Sequence, residues 1–208
     1  MKLNNQEGAI IVTRLIDMIQ QNKQYLSDID GLIGDGDHGV NMNKGFTMCK
    51  EALATNPGDL AHSMKTLAKI LIMKIGGSMG PLYGKMFRGF AKEIDGKVEI
   101  DMNDFNNAIS AMLISIQSIS PAKPGDKTLV DTLTPAAEIF NKSTKEGLAF
   151  DVGLDKLVIA AREGRDSTKD MVAKLGRASR LGERSRGVLD AGATSCCLIL
   201  ETIANTTK

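Results

Sequence analysis

Apolar residues recur along this chain at intervals of three and four almost from end to end. Val12, Leu15, Ile16 and Ile19 follow i, i+3, i+4, i+7, the spacing that lines one face of a helix, and Met42, Phe46, Cys49 and Leu53 keep similar spacing. Leu60, Met64, Leu67 and Leu71 predict a third helix. Met79, Leu82, Tyr83, Met86, Phe87 and Phe90 predict a fourth, broken from the third by Gly76 and Gly77. The fifth starts near Asp101, carries Phe105, Ile109, Met112, Ile116 and Ile119, and stops at the turn from Ser120 to Gly125, where Pro121 and Pro124 end it. Leu129, Leu133, Ala136 and Phe140 place a sixth helix, with Pro135 expected to kink it. A seventh carries Leu154, Leu157, Val158 and Ala161 and continues to Val172 and Leu175, and the last runs from about Ala193. Nothing alternates with period two for more than a few residues, aromatics make up only 4%, and the 11 methionines suit helix packing, so the expected fold is all-α with eight helices and no sheet.

The connections between these helices fall into two kinds. The first (Asp30 to Asn41), third (Gly76 to Pro81), fifth (Ser120 to Thr128) and seventh (Gly176 to Gly192) combine glycine with acids or arginine. The second, fourth and sixth carry ordinary turn chemistry such as Asn56-Pro57-Gly58-Asp59. In an up-and-down antiparallel bundle every odd connection lies at the same end, so the unusual loops would converge there. Glycines scattered as helix caps are the plainer explanation, but caps do not account for the acids and arginines in the same loops.

Composition removes several classes of partner. With 26 Lys plus Arg against 25 Asp plus Glu, the net charge of +1 gives no footprint for nucleic acid or an anionic membrane. Cys49, Cys196 and Cys197 lack metal-ligand or redox spacing and read as reduced core thiols. The N-terminal stretch has no continuous apolar leader, and no run approaches the roughly 18 apolar residues of a membrane span. The expectation is one soluble, cytoplasmic domain over residues 1–208.

The stretch Gly34-Asp35-Gly36-Asp37-His38-Gly39 spells a dinucleotide-binding loop in its glycines alone. Its aspartates argue against a bare phosphate, because like charges about 4 Å apart at a surface repel by roughly 4 kcal/mol. Asp30, Asp35 and Asp37 are instead three oxygen donors spaced by glycines, a set suited to a hard cation such as magnesium. A calcium loop starting at Asp35 fails, with Val40 at its sixth position and Phe46 at its twelfth. Asx-turns capping the next helix would occupy one or two of these acids but not all three. His38 is placed to contact a phosphate, ahead of a structural role and well ahead of carrying a phosphoryl group; His62, alone on a helix, is expected to be inert. Gly76-Gly77-Ser78-Met79-Gly80-Pro81 opens the fourth helix, where free amides favour an anion, although a plain glycine break reads equally well. Pro124-Gly125-Asp126-Lys127-Thr128 matches a P-loop only in its last letters. Arg177 and the stretch Asp190-Ala191-Gly192-Ala193-Thr194 again join charge, glycine and a helix start.

Taken together and in order, these stretches, with Gly176-Arg177-Ala178-Ser179 and Gly182-Glu183-Arg184-Ser185, resemble the nucleotide-binding L subunits of dihydroxyacetone kinases over nearly the whole chain. The resemblance implies an eight-helix antiparallel barrel with an adenine nucleotide, ADP or ATP, and two magnesium ions at one end. By motif, Asp30, Asp35 and Asp37 would hold magnesium, His38, Asn41, Gly77, Ser78 and Met79 would line the phosphates and nucleotide, and Thr128, Leu129, Arg177, Asp190 and Gly192 would complete the pocket. Two departures stand out: Gly-Gly-Ser-Met-Gly where the family usually has Gly-Gly-Ala-Ser-Gly, and Asp190-Ala191-Gly192-Ala193 where it often has Asp-Pro-Gly-Ala. Which groups at Ser78 and Met79 meet phosphate is left open. The implied partners are a K subunit holding dihydroxyacetone and an M subunit whose phosphohistidine recharges bound ADP. Rival readings are an L subunit exchanging free ATP for this or another small ketose, and a module whose nucleotide state a transcriptional regulator senses.

Overall fold

The computed structural model describes residues 1–208. Eight helices follow one another: α1 (Ile10–Ile33), α2 (His38–Thr55), α3 (Leu60–Lys74), α4 (Met79–Ile94), α5 (Met102–Gln117), α6 (Leu129–Lys145), α7 (Phe150–Ser167) and α8 (Ala191–Thr207). Each packs against its neighbours in sequence, and α8 returns against α1, so the up-and-down order closes into a ring. The apolar stripes read from the sequence face inward and merge into one core drawn from all eight helices, except that Ile119, expected on the fifth helix, lies past the end of α5 and is exposed. All six phenylalanines lie in it, with Phe105 touching Phe90, Phe140 and Phe150 at centroid separations of 5.6, 5.5 and 5.2 Å. The three cysteines are free and buried, and no helix is long and apolar enough to cross a membrane.

The expected pattern holds except at the end of α7 and, for Ile119, of α5. The fold is all-α as expected, and its strands are confined to one short antiparallel pair, β1 (Leu3–Asn4) and β2 (Glu99–Ile100), in which Leu3 faces Ile100. Two residues are too short a run for alternation to register. Helix α7 stops at Ser167 instead of reaching Leu175, because a 3-10 turn at Thr168–Asp170 takes over and Thr168 turns its hydroxyl back to the Arg165 carbonyl. Leu175 still packs on the core, but from the connection. Pro135 lies inside α6, where the sequence pattern put it; the Asp131 carbonyl it leaves without an amide partner faces Gly164 of α7, a position where a Cβ would collide.

Loop parity holds. The plain end is tied by Asn5, whose amide donates to the Lys97 carbonyl at 2.7 Å, while its backbone carbonyl accepts from Leu60 at 2.9 Å. The opposite end gathers the four unusual connections: Arg177 reaches Asp35 and Asp37, Tyr83 of α4 reaches Gly192, and Lys127 reaches three carbonyls between Thr168 and Val188.

Candidate functional site

At the end of α1 the chain reverses within four residues. The Gly34 amide donates to the Asp30 carbonyl at 2.5 Å and lies so close to the Asp30 carboxylate that no Cβ would fit there, while Gly36 takes φ +75°. This tight turn gathers Asp30, Asp35 and Asp37, with one carboxylate oxygen of each within 4.8 Å of the others; Asp30 is half-buried and the other two are exposed. Asp37 occupies the N-cap position of α2 but makes no side-chain cap, and Asp30 accepts only a 3.3 Å bond from the His38 amide. Capping therefore leaves most of the oxygen lone pairs free. The guanidinium of Arg177 lies against Asp35 and 3.9 Å from Asp37, so positive charge already stands beside the cluster. Three hard donors with unspent lone pairs fit a magnesium-type cation.

Arg177 is delivered by a 3-10 segment (Arg177–Ser185) that begins after Gly176 at φ +70°. Asn41 lies one turn into α2, bonded through its amide to the Asp37 carbonyl. At the start of α4, Gly77 takes φ +70° and nothing stands within 4 Å of where its Cβ would be. Ser78 makes no side-chain cap, so the first amides of α4 are open to an anion beside Met79. Gly80 lets this helix start press against the carbonyls of Leu71 and Ile75.

His38 opens α2 and is held by residues the sequence did not single out. Its Nε2 lies 2.9 Å from Ser195 Oγ, which lies 2.5 Å from the hydroxyl of buried Tyr83; that hydroxyl donates to the Gly192 carbonyl at 2.9 Å. The chain of bonds links α2, α4 and α8. Burial lowers the His38 pKa from 6.5 to about 4, against an opposing pull from Asp30, so the imidazole is neutral at pH 7. The available signal was Tyr83 on the inward face of α4: a buried hydroxyl must find a partner.

The remaining wall is built from helix caps. Thr128 accepts from Val130, and Asp131 accepts from the amides of Thr128 at 2.7 Å and Gly125 at 2.5 Å, fixing the approach to Leu129. Asp190 caps α8 by accepting from Ala193 at 2.7 Å; burial raises its pKa from 3.8 to about 6. A Cβ at Gly192 would stand 3.6 Å from the Leu129 amide, so these two are neighbours. The structure thus joins the acids with Arg177 and His38, and Leu129 with Gly192. Gly77, Ser78 and Met79 share the end but make no polar bond to the other loops. His62 lies at the opposite end, bonded to Asn56. A groove of about 570 Å³ between α6 and α7, lined by residues such as Ile139 and Ile159, includes none of the site residues.

Known proteins resemble this one over almost its whole length. The DAK2 domain family matches residues 32–205. A Listeria innocua protein described as the ADP-binding subunit DhaL of PEP-dependent dihydroxyacetone kinase 1 is 40% identical over 90% of this chain and 89% of its own. The corresponding Escherichia coli subunit is 33% identical over the full length of both. Among solved structures, the dihydroxyacetone kinase of C. freundii has the same fold, with a TM-score of 0.68 at 21% identity; the match covers 96% of this chain and 34% of that longer one. A second structure of that enzyme, with AMP-PNP and Mg2+, gives a TM-score of 0.67 at 20% identity over 95% of this chain and 33% of that one.

Proposed function

The chain belongs to the DAK2 domain family, and from that premise we propose that residues 1–208 form a single nucleotide-binding domain, the ADP-binding subunit of a phosphoenolpyruvate-dependent dihydroxyacetone kinase. The observation that carries this reading is the Asp30, Asp35 and Asp37 cluster beside Arg177, at the same end of the barrel as the open start of α4. Identity to separate ADP-binding subunits, 33% to 40%, exceeds the 30% found with a D-erythrulose kinase, which favours the resident-nucleotide form over a free-ATP ketose kinase.

In this reading the three carboxylates hold magnesium, two ions in the full site. Magnesium supplies Lewis-acid charge that offsets the negative charge on the phosphoryl group in flight. The amides at Gly77, Ser78 and Met79 and the guanidinium of Arg177 position the phosphates; His38, kept neutral and anchored by Ser195, and Asn41 line the same side. Thr128, Leu129, Asp190 and Gly192 form the wall for the rest of the nucleotide. Nothing among these residues serves as a base for a hydroxyl, which suits a subunit that presents a donor while a K subunit holds and activates dihydroxyacetone. A phosphohistidine on an M subunit would return ADP to ATP in place, in the cytoplasm.

Purifying the protein with magnesium but no added nucleotide, denaturing it and chromatographing the supernatant tests this directly. About one ADP per chain is expected, falling to none in Asp35→Asn. An empty protein that then exchanges ATP would assign it to the ATP-dependent form, and one that binds neither nucleotide would overturn the assignment.

A further inference from the structure

Lys127 belongs to the stretch that ends like a phosphate-binding loop, yet its ammonium is spent on backbone carbonyls. Its side chain is 1% exposed, and its ammonium donates to the carbonyls of Thr168 at 2.7 Å, Met171 at 3.3 Å and Val188 at 2.5 Å. An ammonium has three N–H donors, and all three are used. Burying that charge is unfavourable, and Lys127 is also the only non-glycine residue with positive φ, at 62°. Two unfavourable features at one residue require a compensating gain.

The acceptors show where that gain lies. Thr168 and Met171 begin the connection from α7 to α8, and Val188 lies near its end, so one ammonium holds both feet of the segment that presents Arg177. Thr168 extends the tie: its buried hydroxyl accepts from the Asp190 amide at 3.0 Å. On the other side, Lys127 directly precedes Thr128 and Leu129, the cap and first residue of α6. The Lys174 amide adds a further strut to the Asp126 carbonyl at 3.2 Å.

We propose that Lys127 is a positioning residue for the nucleotide: it clamps the two feet of the 168–190 connection and registers Arg177, Asp190 and Gly192 against Leu129. The role rests on the nucleotide-binding reading above. Arginine does not replace it, because three carbonyls arranged around a compact ammonium do not match a planar fork of donors.

The test compares wild type with Lys127→Met and Lys127→Arg, measuring release of ADP in magnesium by stopped-flow chase and amide hydrogen exchange along the chain. Both variants are expected to release ADP at least tenfold faster and to exchange faster in residues 171–188, with α1 to α5 unchanged. Release within twofold of wild type, or exchange raised equally everywhere, overturns the proposal. Should the Lys127 variants not fold, Thr168→Val and Thr168→Ser, which keep the carbonyl that Lys127 holds but alter the hydroxyl tie to Asp190, test whether fixing the feet of the connection governs release. The valine variant should release ADP faster and the serine variant should restore wild-type release; wild-type release in both would overturn the positioning of the nucleotide through these feet. Wild type that binds no ADP would instead refute the nucleotide reading and this role with it.

Discussion

His38 and Asp190 titrate in opposite senses on the two sides of one site. The His38 pKa is about 4 in the fold against an ordinary 6.5, so the unfolded chain binds the extra proton more readily, and the stability of the neutral imidazole, present above pH 6.5, is lost as pH falls towards 4. The Asp190 pKa is about 6 against 3.8, so its stabilising protonated form is complete below 3.8 and lost as pH rises through 6. At 1.36 kcal/mol per unit each effect amounts to at most about 3–3.5 kcal/mol, so in the metal-free protein they largely cancel between pH 4 and 6. Urea unfolding across this range should show His38→Gln becoming more stable on acidification and Asp190→Asn less stable. Parallel behaviour of the two variants would refute the assignment. The acids of this site were legible because three carboxylates among glycines have few other uses. Ser195 and Tyr83 were not, since each is an ordinary polar residue in an apolar helix and they meet across 112 positions of sequence.

Helix α4 shows how an element is specified by what it lacks. Gly80 and Gly84 lie on the side facing α3, and Gly89 faces α5; a Cβ on Gly84 would stand 2.9 Å from the Ala68 carbonyl and collide with Ile72. Backbone cannot yield as a flexible side chain can, so Gly84→Ala should lower stability by about 1–3 kcal/mol, the usual range for overpacking. Gly76, one connection earlier, has nothing within 4 Å of a Cβ, and Gly76→Ala should stay within about 0.5 kcal/mol. Paired thermal unfolding scans decide between close packing and mere flexibility; equal losses would refute the packing account. Periodicity located all eight helices because each buries one stripe of its surface. It misjudged the end of α7 because Leu175 is partly buried against the core too, and packing by an irregular segment gives the same letters as packing by a helix.

At the scale of the molecule, the parity of the loops was visible in the sequence because glycine, acid and arginine share every second connection. What parity did not reveal is the bracing between those connections, which depends on three-dimensional neighbours such as Lys127 and Val188. Because α8 lies antiparallel to α1, both ends of the chain emerge at the plain end, away from the acid cluster and Arg177. The barrel is thus a cycle with one seam, and the seam is not part of the working surface. Joining Lys208 to Met1 with a glycine-serine linker of about 20 residues, which reaches ~25 Å, and reopening the chain between exposed Asn56 and Pro57 should give a permutant that binds magnesium and ADP within about threefold of wild type by calorimetry, since the reopened loop also lies away from the site. Reopening at Gly36, inside the acid turn, should abolish binding; permutants that fail alike would mean that chain order matters to the site. In a cyclic fold the order in which helices are strung is separable from the chemistry they support, so nature or a designer can begin such a chain at any plain-end turn and keep the same site.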